Sequence, residues 1–269
     1  MKLVVLLFAV CACAERPAAP AERRVVSLHD VTTELVVALG ATDRLVGIAA
    51  PVDLDDATIG AVAGVPRVDG LEAILALRPS VVLGTAVVAA QDPALVARLR
   101  EAGVEVFLGD PAGLEDVFGL ADAVAARLGV DGAPLATQLR ARAAAITPAS
   151  GSPVPVFVYD CCDPPFTTGG GTVLNDLIAR AGGANVFADL DADWTHVSWE
   201  AVVARRPALI VVDAYRYEGQ GDVDAKLRAV HAIPSLATVP TVVLPLGEAL
   251  GGVRSVDGLA RLRAAIGGG

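Results

Sequence analysis

Positive charge is scarce in this chain. Lys and Arg total 21 against 31 Asp and Glu, a net charge of −10, so no general basic field exists to hold a phosphate backbone, and nucleic acid is excluded as an expected partner. Charged residues are only 19% of the 269 positions while hydrophobic residues are 54%. Disorder needs low hydrophobicity and high net charge, so this balance excludes it, and the length fits one large or two modest domains. Long apolar runs are missing: residues 3–10 fall short of the about 20 that cross a bilayer, and no later segment resembles a span. A phosphate loop ending in GKS or GKT, HExxH and GxSxG are all absent, and with them the strong enzyme signatures. The four cysteines form no CxxC and no spaced Cys/His array of the structural zinc kind.

What is present begins with a leader. Met1-Lys2, the apolar run and then Cys11-Ala12-Cys13-Ala14 follow the order of a secretory signal. Val10-Cys11-Ala12-Cys13 resembles a bacterial lipobox, which makes Cys13 the candidate lipid anchor; an ordinary cleaved signal is the alternative. Either way the protein is expected to be exported, with at most a lipid tether to the membrane. Residues 1–13 are thus a signal and lipobox, and the Pro/Ala/Glu/Arg stretch 14–22 a tether.

From there strands and helices alternate. Residues 24–28 predict a strand; Asp30 or Thr32 offers a cap to the helix that follows, and Gly40 stops it. Strands are expected at 45–49, 81–83 and 104–108, with helices at 71–77 and 93–102. Residues 114–146 hold no strand candidate and read as a helical spine interrupted at 129–134. Alternation restarts with strands at 156–159, 209–212 and 241–244 and helices at 173–181, 199–204 and 256–266. The architecture inferred is α/β: a lobe over 23–112, the spine over 113–147 and a second lobe over 148–269, each lobe with a parallel sheet.

Candidate functional residues cluster just past strand ends, where open α/β sheets bind ligands. His29, followed by Asp30, comes after the first strand; Cys161 and Cys162 follow Tyr159, flanked by Asp160 and Asp163. Two thiolates and an imidazole from the other lobe would make a borderline metal site of His29, Cys161 and Cys162. Successive residues of an extended chain point opposite ways, so a vicinal disulfide or a single thiol contact is the more ordinary outcome. His196 stands in a polar loop, while His231 falls in a surface-like helix. Eight of the eleven aromatics lie between 157 and 217. Phe157, Phe187 and Trp199 are expected in the core. Phe166, Trp194 and Tyr215, among polar loop residues, are expected to meet a ligand; Tyr217 completes the set. Gly169-Gly170-Gly171-Thr172 is either an anion-binding turn or, more simply, a flexible turn and cap.

Several separated motifs resemble substrate-binding proteins of ABC importers for ferric siderophores, haem and cobalamin. They are Arg24-Val25-Val26-Ser27-Leu28 with Thr33-Glu34-Leu35, Leu71-Glu72-Ala73-Ile74-Leu75-Ala76-Leu77-Arg78-Pro79, Pro165-Phe166-Thr167 with Ala181-Gly182-Gly183-Ala184-Asn185-Val186-Phe187, and Val197-Ser198-Trp199-Glu200. The resemblance implies two Rossmann-like lobes joined by a long interlobe helix, a ligand held in the cleft, and no catalysis. It implies docking to an ABC permease, with its ATPase, through Glu72 and Glu200, although each would also suit a helix N-terminus. It implies a monomer in the periplasm or on the outer face of a membrane, with no intrinsic cofactor. Pro164-Pro165-Phe166-Thr167 and Asp193-Trp194 look closest to the cobalamin binders, which makes Trp194 a cleft contact. Two departures, Asp160-Cys161-Cys162-Asp163 and His29-Asp30, leave haem and siderophores open as metal-chelate ligands, with His29 or Tyr159 as an axial ligand. Arg254 meets either a ligand acid group or a structural partner. The alternative to transport is a thiol-dependent metal-binding protein or enzyme using Cys161, Cys162 and His29.

Overall fold

The computed structural model describes residues 23–51, 53–215 and 222–268. The leader 1–13, the tether 14–22, the anchor Cys13 and Tyr217 lie outside the described residues. The first half runs β1 (Val25–Ser27), α1 (Asp30–Ala38), β2 (Leu45–Ile48), α2 (Asp56–Ala61), α3 (Gly70–Ala76), β3 (Val81–Thr85), α4 (Ala86–Gln91), α5 (Pro93–Glu101) and β4 (Glu105–Gly109). These strands form a parallel sheet in the order β2-β1-β3-β4. Side chains alternate between its faces, as the period of two requires: Val25, Val81 and Leu83 join one core, Val26 and Val82 the other.

Two helices follow, α6 (Leu114–Leu128) and α7 (Ala133–Ala144). The spine is interrupted within the expected 129–134 stretch, at Gly129, whose φ of 70° closes α6 in a left-handed cap. α6 packs into both lobes, because its apolar positions recur every three or four residues. Leu114, Val117 and Phe118 enter the core of the second lobe, and Leu120, Ala121, Val124 and Leu128 that of the first. Its N-terminus is tied to the second lobe, where Asp176 accepts a hydrogen bond from the Leu114 amide at 2.8 Å.

The second lobe contains β5 (Val154–Tyr159), β6 (Phe166–Thr168), α8 (Val173–Ala181), β7 (Gly183–Asn185), β8 (Trp194–His196), α9 (Trp199–Arg205), β9 (Leu209–Ala214), α10 (Val223–His231), β10 (Thr241–Pro245), α11 (Leu246–Ala249) and α12 (Ser255–Gly267). Its parallel sheet has the order β10-β9-β5-β7, and β6 with β8 makes a separate antiparallel ribbon. Val156 and Val158 face one core while Phe157 and Tyr159 face the other.

A second tie between the lobes is ionic. Arg254, at the start of α12, is 11% exposed and pairs with Glu34 of α1 at 2.7 Å and with Asp53 at 3.4 Å. Asp53 also accepts the Gly247 amide at 2.7 Å, and its own amide donates to Asp30 at 2.6 Å. A Cβ at Gly247 would overlap the Arg254 guanidinium, so this close approach needs glycine. Arg254 is thus a structural residue, and its expected role as a ligand contact gives way to this cluster: a buried guanidinium needs carboxylate partners, and two are already in place.

Burial outweighs Arg254 and pushes the Glu34 carboxyl up from 4.5 to about 7. An acid with a raised pKa holds its proton more tightly folded than unfolded, so its contribution is complete below pH 4.5 and lost as pH rises through 7. At about 1.4 kcal/mol per pH unit the loss is on the order of 3 kcal/mol. Urea unfolding from pH 4.5 to 8 should show wild-type stability falling across this window and the fall removed in Glu34→Gln; identical pH profiles would contradict the assignment.

Candidate functional site

The carboxyl ends of both parallel sheets converge on one cleft. Leu28, His29 and Asp30 follow β1, Ala49 and Ala50 follow β2, Asp160 and Cys161 follow β5, Tyr215 follows β9, and Leu246 follows β10; together they border a cavity of about 540 Å³. A larger hollow of about 670 Å³ lies under Gly170, Gly171 and the 188–193 loop, but a single loop of one lobe walls it. Convergence of side chains from both lobes makes the cleft the candidate site.

His29 is held from below. Its carbonyl accepts hydrogen bonds from the Thr32 and Thr33 hydroxyls at 2.9 and 3.2 Å, and both hydroxyls meet Ser27 Oγ at 2.8 Å. His29 itself, rather than Asp30 or Thr32, caps α1: its Nδ1 accepts from the Val31 amide at 3.3 Å. Burial lowers the pKa of this imidazole, and the nearby Asp30 opposes the shift. A neutral ring whose Nδ1 accepts carries its proton on Nε2, so His29 offers the cleft a donor.

Across the cleft, Phe166 and Trp194 stand on the β6–β8 ribbon with ring centroids 5.9 Å apart and planes 21° apart. Pairing of Thr168 with Trp194 sets that register. Tyr215 donates its hydroxyl to Asp160, and the Lys226 ammonium lies 4.3 Å from the Tyr215 ring while donating to the Asp213 carbonyl at 2.6 Å. Burial raises the pKa of Asp160, with Tyr215 and Lys226 opposing it.

Among the expected contacts, His29, Asp30, Cys161, Phe166, Trp194 and Tyr215 come together in this cavity. The expected ion site of His29, Cys161 and Cys162 does not form. The two sulfurs are bonded to each other and are not thiolates, and the His29 nitrogen that would face an ion carries a proton. No cluster of three His, Cys, Asp or Glu able to hold a metal exists among the described residues. Cys162 has a φ of 76°, and its carbonyl accepts the Tyr159 hydroxyl at 3.0 Å. Tyr159 is a second correction. It shares its strand face with Phe157, so it is buried against Phe157 and Trp199 and turns away from the cleft. Phe157 and Phe187 are core, as expected, while Trp199 is half-buried with its indole N–H donating to Asp163 at 3.2 Å. The glycine run is a turn: Gly169 and Gly170 donate their amides to the Asp193 and Leu190 carbonyls, and Thr172 caps α8.

His196 is exposed against Phe166 and Pro164, and His231 ends α10; neither borders the cavity. Glu72 and Glu200 are both exposed in the first turn of a helix, one in each lobe. Sequence reasoning does not reach Ala49, Ala50, Val87 and Leu250, because isolated apolar residues carry no chemical signal. Their one pointer is position, since Ala49, Ala50 and Val87 lie within two residues of the end of a strand and Leu250 in the segment after β10.

Residues 25–242 match the family described as periplasmic binding protein. A vitamin B12-binding protein of Yersinia pestis (strain Pestoides F) is 32% identical over 200 residues, covering 72% of this chain and 70% of that one. Among solved structures, a periplasmic binding protein from Veillonella parvula superposes with a TM-score of 0.82 at 24% identity, covering 92% of each chain. The apo form of a periplasmic haem-binding protein from Roseiflexus sp. RS-1 gives 0.75 at 26% identity, covering 92% of this chain and 99% of the other. With two parallel sheets facing each other across one cleft, and a family match over most of its length, this chain belongs to the periplasmic binding protein family.

Proposed function

We propose that the chain is the extracytoplasmic solute-binding component of an ABC importer. It captures a metal chelate (cobalamin, a ferric siderophore or haem) in the interlobe cleft and delivers it to a permease driven by its ATPase. The observation that carries this reading is the cavity of about 540 Å³ between the two sheets, with the stacked Phe166–Trp194 pair on its border. Flat aromatic surface suits a broad planar ligand, while His29, Asp30, Cys161 and Tyr215 orient it from the strand ends. No reaction is assigned to these residues, and the protein needs no cofactor of its own.

Export with lipid attached at Cys13 would keep a monomeric receptor beside its permease at the outer face of a membrane. No helix among the described residues is long and apolar enough to cross one. Glu72 and Glu200 supply one exposed carboxylate per lobe, an arrangement that fixes the orientation of a complex and steers encounter with a basic surface. A backbone amide and Ser198 at the start of α9 hold the Glu200 pKa below its usual value.

Mature protein incubated with cyanocobalamin, haemin or a ferric siderophore and passed through gel filtration should retain one of the three stoichiometrically, read by absorbance and metal analysis. Retention of none would sink the receptor reading. Trp194→Ala should weaken the retained chelate on the order of 10-fold, the scale of a lost aromatic anchor. The double variant Glu72→Ala, Glu200→Ala should keep its affinity within about twofold, since surface changes away from the cleft are small, yet lose delivery to reconstituted permease; weakened chelate binding in that variant would contradict docking.

A further inference from the structure

The cleft does not end at the main cavity. A side chamber of about 210 Å³ opens beside it, sharing His29, Val87, Trp194 and Leu250 with the larger space. Its other walls include Thr85, Asp110, Thr172 and Asp193. It is smaller than the roughly 300–1,000 Å³ of a whole-ligand pocket, so it has room for part of a ligand.

Thr85 is the residue without an explanation in the fold. It ends β3 and occupies the N-cap position of α4, where a threonine hydroxyl ordinarily accepts a first-turn amide; here it makes no such bond. The residue is 6% exposed, and its hydroxyl is buried with no hydrogen-bond partner. A buried hydroxyl left unpaired is destabilising, and native proteins retain few of them. Opposite stands the start of α8, where the Thr172 hydroxyl is already used in capping Asn175. Asp110 and Asp193 are exposed on the chamber wall, and no Lys or Arg lines either space among the described residues. A carboxylate arm would meet like charge here, whereas an amide or hydroxyl arm would find acceptors.

We propose that the side chamber is a subsite for an uncharged, hydrogen-bonding arm of the ligand, with the Thr85 hydroxyl as its partner and Asp110 and Asp193 excluding acidic arms. This rests on the metal-chelate reading and narrows it to chelates whose periphery carries amides or hydroxyls.

Cyanocobalamin, whose ring bears primary amides, and its hydrolysed monocarboxylate derivatives differ in the feature at issue. The wild-type protein should prefer the intact amide form by about 10-fold over the derivative whose acid falls in the chamber, as repulsion of like charges implies. Asp110→Asn with Asp193→Asn should shrink that gap. Thr85→Val, which keeps the shape and removes the hydroxyl, should weaken the amide form by about 3- to 10-fold, the scale of one lost hydrogen bond, while leaving Tm unchanged or raised. Equal affinity for amide and acid forms, unaltered affinity in Thr85→Val, or a lowered Tm in that variant would each overturn the proposal. Retention of no chelate at all by the wild type would instead sink the receptor reading; the Tm of Thr85→Val without ligand still reads the hydroxyl directly, a fall overturning the subsite and an unchanged or raised Tm supporting it.

Discussion

The geometry of the cleft depends on one buried guanidinium. Arg254 belongs to the second lobe by sequence, yet its partners Glu34 and Asp53 belong to the first. A charge withdrawn from water must be matched, and removing one member of such a buried set typically costs about 3–5 kcal/mol. The matching is geometrically demanding: the segment beginning at β10 has to thread between the lobes closely enough that Gly247 reaches the same Asp53 carboxylate. Leu250 and Val253 then pack against the core of the first lobe. The cleft floor is therefore a consequence of where one ion cluster holds the chain.

Asp30 connects that cluster to the site. Its carboxylate accepts the Asp53 amide, and it stands beside His29, whose ring caps α1 and whose carbonyl is fixed by two threonine hydroxyls. A single run of residues after β1 thus serves the interlobe tie, the helix cap and the cavity wall. On the facing lobe the same economy recurs. Asp160 takes the Tyr215 hydroxyl while the Cys161–Cys162 bridge shapes the turn between β5 and the aromatic ribbon.

The alternation of strands and helices was legible because the central strands β1, β3, β5 and β9 are apolar on both faces and most helices end at a glycine or before a proline. The helix over residues 173–181 was expected and found at the same residues, since Thr172 and Gly182 mark both its ends. The β6–β8 ribbon was not legible: its strands have three residues each and no apolar alternation. Position after a strand pointed to His29 and Cys161, and an aromatic among polar loop residues to Tyr215, and all three border the cavity. Tyr159, expected as an axial ligand from the resemblance to haem binders, is the last residue of β5 and still obeys strand parity, so that its ring follows Phe157. Arg254 was ambiguous because its partners lie about 200 positions away, and a sequence shows a charge without showing what neutralises it.

The two separate ties, α6 through both cores and Arg254 through its carboxylates, also bear on timing. A receptor whose lobes are pinned at two places has little domain closure with which to imprison its cargo. Escape is then governed by the contacts themselves, and mutations in the cleft should register in dissociation rates far more than in association rates. The ordering entropy of the walls has been spent during folding. Under the importer role proposed above, a membrane partner would have to empty a rigid shape, and the energy for unloading would go into prising the lobes apart.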